Sequence, residues 1–268
     1  MENYNRKTFE DLYLRYNRRE FIHPDPLEFL YEYEDIRDRE VVGLVASSLA
    51  YGRVSQIIKS VYCVLQRMQP SPFIFLSQTS LESLLNTFSG FKHRFTTGEE
   101  VALMLFGIRG VIERYGSLYE CFTAGMSDND TVLQAISAFV DELVTRNNGR
   151  HNTLLPSPVK GSACKRLNLF LRWMVRKDNV DPGGWDIIHS SKLIVPIDTH
   201  MHRIGLSLNL TKRKQADMKT ALEITAAFRA ISPEDPAKYD FALTRLGIRN
   251  EVDIDEFLKG CSADGLSS

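Results

Sequence analysis

The chain has 268 residues, 43% hydrophobic and 25% charged, which excludes a disordered or fibrous polymer and allows one compact unit of two lobes. The formal net charge of −1 points to no partner by itself, while Cys63, Cys121, Cys164 and Cys261 stand far apart with no CxxC pair, against a disulfide framework or a zinc or iron–sulfur centre. The longest uncharged apolar run, VVGLVASSLAYG, is too short to cross a bilayer and no leader-like pattern opens the chain, so a cytoplasmic protein that does not enter membranes is expected, and a monomer.

Residues 1–40 have helical spacing broken at His23-Pro24-Asp25-Pro26, because proline cannot continue a helix; two short helices joined by a turn are predicted. VVGLVASSLA is apolar on nearly all sides and reads as a buried helix. After Tyr51-Gly52-Arg53, apolar residues from Ile57 to Met68 recur at helical spacing until Pro70-Ser71-Pro72 ends the run. Thr97 precedes a helix with acidic residues in its first turn, where the dipole favours them, and Ser117 to Glu120 resembles a capping box. Thr131 to Arg146 is amphipathic, and NNGRHNTLLPSPVK is a polar loop. No long period-two alternation and no internal repeat occur, so the fold class is all-α. Within one unit over 1–268, residues 40–150 are expected to form mainly one lobe, 151–215 a hairpin and catalytic segment, and 1–39 with 216–268 the other lobe.

The most informative stretch runs from Val159 to Leu210. Residues 160–214 hold eleven Lys or Arg against four Asp, which reads either as an electrostatic footprint for phosphate or as a solvated helix face. On a helix starting near Ser162, Leu167, Phe170, Leu171 and Met174 share the core side, and Lys165, Arg172 and Arg176 are expected on the opposite, outer side. The small residues Gly161, Ser162 and Ala163 before that helix leave its first N–H groups open to a phosphate. Asp198 is placed as the N-cap of a second helix through Met201, Ile204 and Leu208. A carboxylate there has a capping role in its own right; beside a lysine amine it also suits chemistry at a sugar carbon, where positive charge develops.

These residues carry a resemblance. Gly161-Ser162-Ala163-Cys164-Lys165 resembles the Gly-x-Gly-x-Lys hairpin of the helix-hairpin-helix DNA glycosylases, the superfamily of endonuclease III and the 8-oxoguanine DNA glycosylases. Pro196-Ile197-Asp198-Thr199-His200 is similar to their catalytic Val-Asp-x-His segment. The run Gly161, Lys165, Phe170, Leu171, Arg172 is most similar to the archaeal-type 8-oxoguanine glycosylases. More weakly, VVGLVASSLAYGRVSQI resembles the lesion-contacting helix and loop, and YDFALTRLGI the closing helix.

The resemblance implies a two-lobed helical fold with the damaged base flipped between the lobes, and double-stranded DNA carrying a damaged base or abasic site as partner. It implies Lys165 as nucleophile at C1′, with AP-lyase activity through a Schiff base, and Asp198 as the assisting carboxylate. Gly161, Ser162, Ala163, Arg172, Arg176, His200 and Arg203 would contact DNA. No cofactor is required, although a monovalent cation often sits on hairpin carbonyls in this superfamily; without the endonuclease III cysteines no iron–sulfur cluster is expected. The chain departs from the pattern at Ala163, where the family has its second glycine, and in a longer Lys165–Asp198 connector containing DPGGW.

Tyr51 and Trp185 are candidates for a wedge or stacking plate against the flipped base, or for core packing. His200 and His202 point to different sides of a helix, so no metal site is expected. Two further readings are compatible with the residues: a helix-hairpin-helix module that binds DNA or RNA without catalysis, and a helical interaction protein in which 160–214 packs against the rest of the chain.

Overall fold

Proline, serine and aspartate divide the chain into short helices, and each start has a visible local cause. The computed structural model describes residues 6–146 and 152–248, together with 257 and 261. In order come α1 (Arg6–Tyr16), 3-10 segments at Arg19–Phe21 and Pro26–Glu32, α2 (Ile36–Ser48), α3 (Val54–Gln66), α4 (Pro72–Gln78) and α5 (Leu81–Thr87). Then follow α6 (Gly98–Tyr115), α7 (Leu118–Ala124), α8 (Leu133–Thr145), a 3-10 turn at Pro158–Lys160 and α9 (Lys165–Val175). A 3-10 turn at Ser190–Lys192, α10 (Thr199–Ser207), α11 (Met218–Ile231) and α12 (Asp240–Ile248) complete the described elements. The fold is helical as expected; the small exception is a two-residue antiparallel ribbon, β1 (Lys92–His93) on β2 (Thr96–Thr97).

The caps follow the side chains. Thr97 and Glu100 close a reciprocal capping box on α6, satisfying two orphan N–H groups at once. Ser117 accepts from the Glu120 N–H at 3.0 Å, and Ser71 and Ser80 cap α4 and α5. Of the two helices predicted for the first forty residues, the first is α1; the second is the 3-10 segment Pro26–Glu32, capped by Asp25 at the Leu27 N–H, 3.0 Å.

Helix α2 is the central element, as its all-round apolar sequence requires. Every residue from Glu40 to Ser48 is buried, and the helix packs on α3, α4, α7, α9 and the 26–32 segment. Around α6 gather α4, α5, α7 and α8, while α1 packs on α12, and α12 on α10. One polar group is sealed into α2. Glu40, 2% exposed, accepts from Trp185 Nε1 at 3.0 Å and from the Leu118 N–H at 2.9 Å. Burial pushes its carboxyl up to about 7, against these hydrogen bonds.

The connector after α9 is folded back onto the core. Gly183 N–H donates to the Trp173 carbonyl at 3.0 Å and Trp185 N–H to that of Met174 at 2.9 Å. Gly184 lies at φ +130°, and a Cβ there would meet Ile36 Cδ1 at 2.2 Å, so the DPGGW sequence supplies both the turn and the close approach. The turn delivers Asp181, fully buried, between Arg172 of α9 and Arg176, the residue that ends it. Arg172 Nε donates to Asp181 Oδ1 at 3.2 Å and its Nη1 to Asp240 Oδ2 at 2.5 Å. Arg176 pairs with Asp181, and reaches Asp235 and Asp178 at 2.8 Å each. Tyr13 of α1 donates to Asp178 at 3.0 Å. Burial opposes the charge on Arg176, but Asp181, Asp235 and Asp178 carry its guanidinium well above the ordinary value.

Two measurements test this core. Because the Glu40 carboxyl is raised on folding, its contribution is present below 4.5 and lost as pH rises through about 7; the wild type is therefore expected to lose about 3 kcal/mol across that window. In Glu40→Gln the corresponding slope of unfolding free energy against pH should vanish, and an unchanged slope contradicts the assignment. Asp181→Ala leaves two buried guanidiniums short of a counter-charge and should cost about 3 kcal/mol in denaturant unfolding.

Candidate active site

Helix α9 begins at Lys165, and its entry is built from two left-handed residues. Gly161 takes φ +78° after the 158–160 turn, and Cys164 takes φ +48° as the residue before the helix. Ala163, at the place of the second hairpin glycine, is not among the positive-φ residues; Cys164 carries that conformation instead. The turn is pinned from several sides. Its Gly161 carbonyl accepts from the Met218 N–H at 3.1 Å, and Ser162 bridges to Asp217 at the start of α11. Ser162 Oγ accepts from the Cys164 N–H at 3.2 Å, and Asn168 Nδ2 donates to the Ala163 carbonyl at 3.0 Å. The helix therefore starts three residues later than the sequence spacing predicts, because residues 161–164 form the turn itself.

Asp198 caps α10, its Oδ1 accepting from the Met201 N–H at 2.9 Å. Lys165 and Asp198, far apart in sequence, line the same cavity of about 130 Å³. Its wall also takes in Asp25, Arg172, Asp240 and Arg245. Lys165 Nζ lies 3.5 Å from the Ala50 carbonyl, at the limit of a hydrogen bond. Burial pushes the Asp240 carboxyl up, Arg172 pulls it down, and Asp198 and Lys165 act on it with opposite signs; these four groups share one electrostatic neighbourhood. Arg245, 2% exposed, donates to Asp25 at 2.7 Å. The cavity thus holds one half-buried amine and one half-buried carboxylate among ion pairs that are already internally matched.

Several sequence-predicted site residues are elsewhere. Arg172 and Arg176 were expected on an outer, DNA-facing side of α9, but are 3% and 4% exposed, because the connector covers that side with Asp181 and Asp178. Neither guanidinium is available to a phosphate. Trp185 is fully buried, with its Nε1–H on Glu40 and its ring against Phe122, Phe170 and Tyr119; it is a core residue and not a stacking plate. Tyr51 is half-buried, its hydroxyl 2.9 Å from the His93 carbonyl and 2.7 Å from Thr96 Oγ1. His200 lies on α10 with Nε2 3.3 Å from the Leu243 carbonyl, and the exposed Arg203 stands 3.4 Å from its Nδ1. Gly161 is exposed and Ser162 partly so, whereas Ala163 is buried. Three thiols are buried and Cys63 is partly so, all four free. Among the described residues, no cluster of three or more His, Cys, Asp or Glu could hold a metal, and no helix is long and apolar enough to cross a membrane.

Sequence reasoning missed Asp25, Asp240, Arg245 and Arg166. Arg166 donates from Nη1 to the Ser48 carbonyl at 2.8 Å and from Nη2 to that of Thr153, with its guanidinium 5.2 Å from the Tyr51 ring centroid. Asp25 stood in the sequence only as part of a proline break and Asp240 only within YDFALTRLGI, and no local pattern reports that they line the cavity with Lys165. The exposed lysines near this turn are Lys160 and, across the Ser162–Asp217 bridge, Lys212, Lys214 and Lys219.

The family described as "Protein of unknown function (DUF2400)" has a model that matches residues 25–249. The chain belongs to this family. The matched DUF2400 region contains every residue named above in the cavity wall. No curated protein and no solved structure matches the chain.

The capping role of Asp198 can be separated from any chemical one. Asp198→Asn should keep most of the native stability, since asparagine caps as well as aspartate, whereas Asp198→Ala should lose about 1 kcal/mol. Equal losses in the two variants by thermal unfolding would contradict the cap.

Proposed function

We propose that the protein is a base-excision DNA glycosylase with AP-lyase activity, of two helical lobes with a helix-hairpin-helix entry at Gly161–Lys165. The observation that carries the reading is that Lys165 and Asp198 line one cavity, each at the first turn of a helix. A damaged base flipped from duplex DNA leaves its C1′ open to an amine. Lys165, as the free amine, forms the Nζ–C1′ bond while the C1′–N glycosidic bond breaks. The base leaves with the bonding electrons and is protonated. The ammonium proton on Lys165 passes to Asp198, which also stabilises the positive charge developing on the sugar. The C1′–O4′ bond then breaks as the Lys165 nitrogen lone pair forms the protonated Schiff base and O4′ takes the proton from Asp198; loss of a C2′ proton to a base and departure of the 3′ phosphate with the C3′–O bonding electrons cleave the strand.

In this reading phosphate is held by the open backbone at Gly161 and Ser162 and by the exposed lysines 160, 212, 214 and 219, with His200 and Arg203 on the adjoining helix. The Gly161 and Ala163 carbonyls each keep a lone pair beyond their protein donors, which a monovalent cation would share. The exposed lysines by themselves support a second reading, a nucleic-acid-binding module without catalysis.

One reaction distinguishes the two. Incubation with duplexes carrying an abasic site or 8-oxoguanine, followed by borohydride, should leave a covalent protein–DNA adduct that Lys165→Gln abolishes, with at least about a hundredfold loss of base release. Duplex binding that weakens with salt, with neither trapping nor base release across a panel of lesions, selects the binding module.

A further inference from the structure

A second cavity opens beyond the far end of α9. It measures about 470 Å³, and its wall includes Arg18, Arg19, Arg39, Lys177, Tyr31 and Asp178. The four cations come from three separate parts of the chain: the turn after α1, the first half of α2, and the connector. Like charges brought together at a surface repel, and nothing in the packing of the core requires all four to face one hollow.

The single carboxylate does not balance them. Asp178 is already occupied: it accepts from Arg176 Nη2 at 2.8 Å, from the Tyr13 hydroxyl at 3.0 Å, and from the Val180 and Asp181 N–H groups at 2.8 Å each. Two of the cations are held in place. The Arg19 guanidinium lies 3.9 Å from the Tyr31 ring centroid, and that ring is fixed by its hydroxyl on the Val180 carbonyl at 2.5 Å. Arg39 donates from Nε and Nη2 to the Tyr33 carbonyl at 3.3 and 3.0 Å. The other two are held less: the exposed Arg18 has a long contact with Glu20 at 3.8 Å, and the exposed Lys177 forms no ion pair with a described residue. The opposite rim is preformed, since Lys177 bridges to Pro182 and Asn179 Nδ2 donates to the Asn17 carbonyl at 3.1 Å.

We propose that this cavity is a binding site for an anion bearing two or more linked phosphates. Its volume falls in the range of small-molecule sites, roughly 300–1,000 Å³. Guanidiniums fixed by stacking and by carbonyl contacts present planar forks for phosphate oxygens, and Arg18 and Lys177 close over the charge that remains. The site is separate from the Lys165 cavity and does not rest on the glycosylase reading.

The test is calorimetric titration of the full chain with inorganic triphosphate and, in parallel, with adenosine triphosphate and a short undamaged duplex. Binding of inorganic triphosphate is expected, weakened by at least about tenfold in Arg18→Glu/Lys177→Glu with unfolding temperature unchanged; Lys177→Gln should give a smaller loss. Equal affinity for the two triphosphates identifies the phosphate chain as the recognised group, and tighter adenosine triphosphate binding identifies a nucleotide; either supports the site. No binding at millimolar triphosphate overturns the proposal, as does affinity unchanged in the double variant. It is also overturned if the double variant loses duplex affinity while triphosphate does not bind, which makes these residues part of a surface track for a nucleic-acid backbone.

Discussion

Two guanidiniums at the end of α9, taken out of water together with the carboxylates that match them, are the constraint on which the rest of the molecule depends. A buried ion pair gives little net stability over an apolar replacement, but removing one partner leaves the other uncompensated. Here the penalty for an error is distributed across the chain. Arg172 and Arg176 draw in Asp178 and Asp181 from the connector, Asp235 and Asp240 from the region of α12, and through Asp178 the hydroxyl of Tyr13 on α1. Helix α9 cannot rotate or slide without exposing a charge, so Lys165 at its other end has a defined place.

The same network shows where sequence reading reaches its limit. Capping is local chemistry, and Ser117 and Asp198 were legible because a side chain one turn from an N–H group needs no knowledge of the fold. The buried character of α2 was legible for a similar reason, since no face of VVGLVASSLA could tolerate water. Arg172 and Arg176 were misread because a helix with charge opposite its apolar stripe ordinarily shows that side to solvent. Only the return of the connector, with Asp181 opposite them, reverses the inference, and that depends on Gly183 and Gly184 making a turn tight enough to reach Ile36. Trp185 moved from candidate plate to core by the same turn. That Lys165 and Asp198 share a site was raised from the sequence as a chemical idea, and both line one cavity; that Asp25, Asp240 and Arg245 line it too was not raised, because these are long-range placements with no signature in spacing.

The displaced arginines also change where positive charge is found. Of the basic residues between 160 and 214, two are sealed inside, while Lys160, Lys212 and Lys214 remain exposed around the turn that enters α9. The surplus that suggested a phosphate footprint therefore survives at the turn before α9 but shrinks along the helix. A second concentration lies beyond the opposite end of α9, contributed mainly by residues outside that stretch. One short helix separates a half-buried amine from a strongly cationic hollow, with a neutralised buried network between them.

The Arg245–Asp25 pair joins residues 220 positions apart, and Asp240 reaches the cavity from the same helix as Arg245. During synthesis Lys165 and Asp198 emerge well before the residues that complete their wall. Closing a loop of that span is slow and entropically costly compared with forming any of the capped helices. A chain still being made therefore carries the amine and the carboxylate without the enclosure around them, and acquires the finished cavity only when its C-terminal segment folds back onto its beginning.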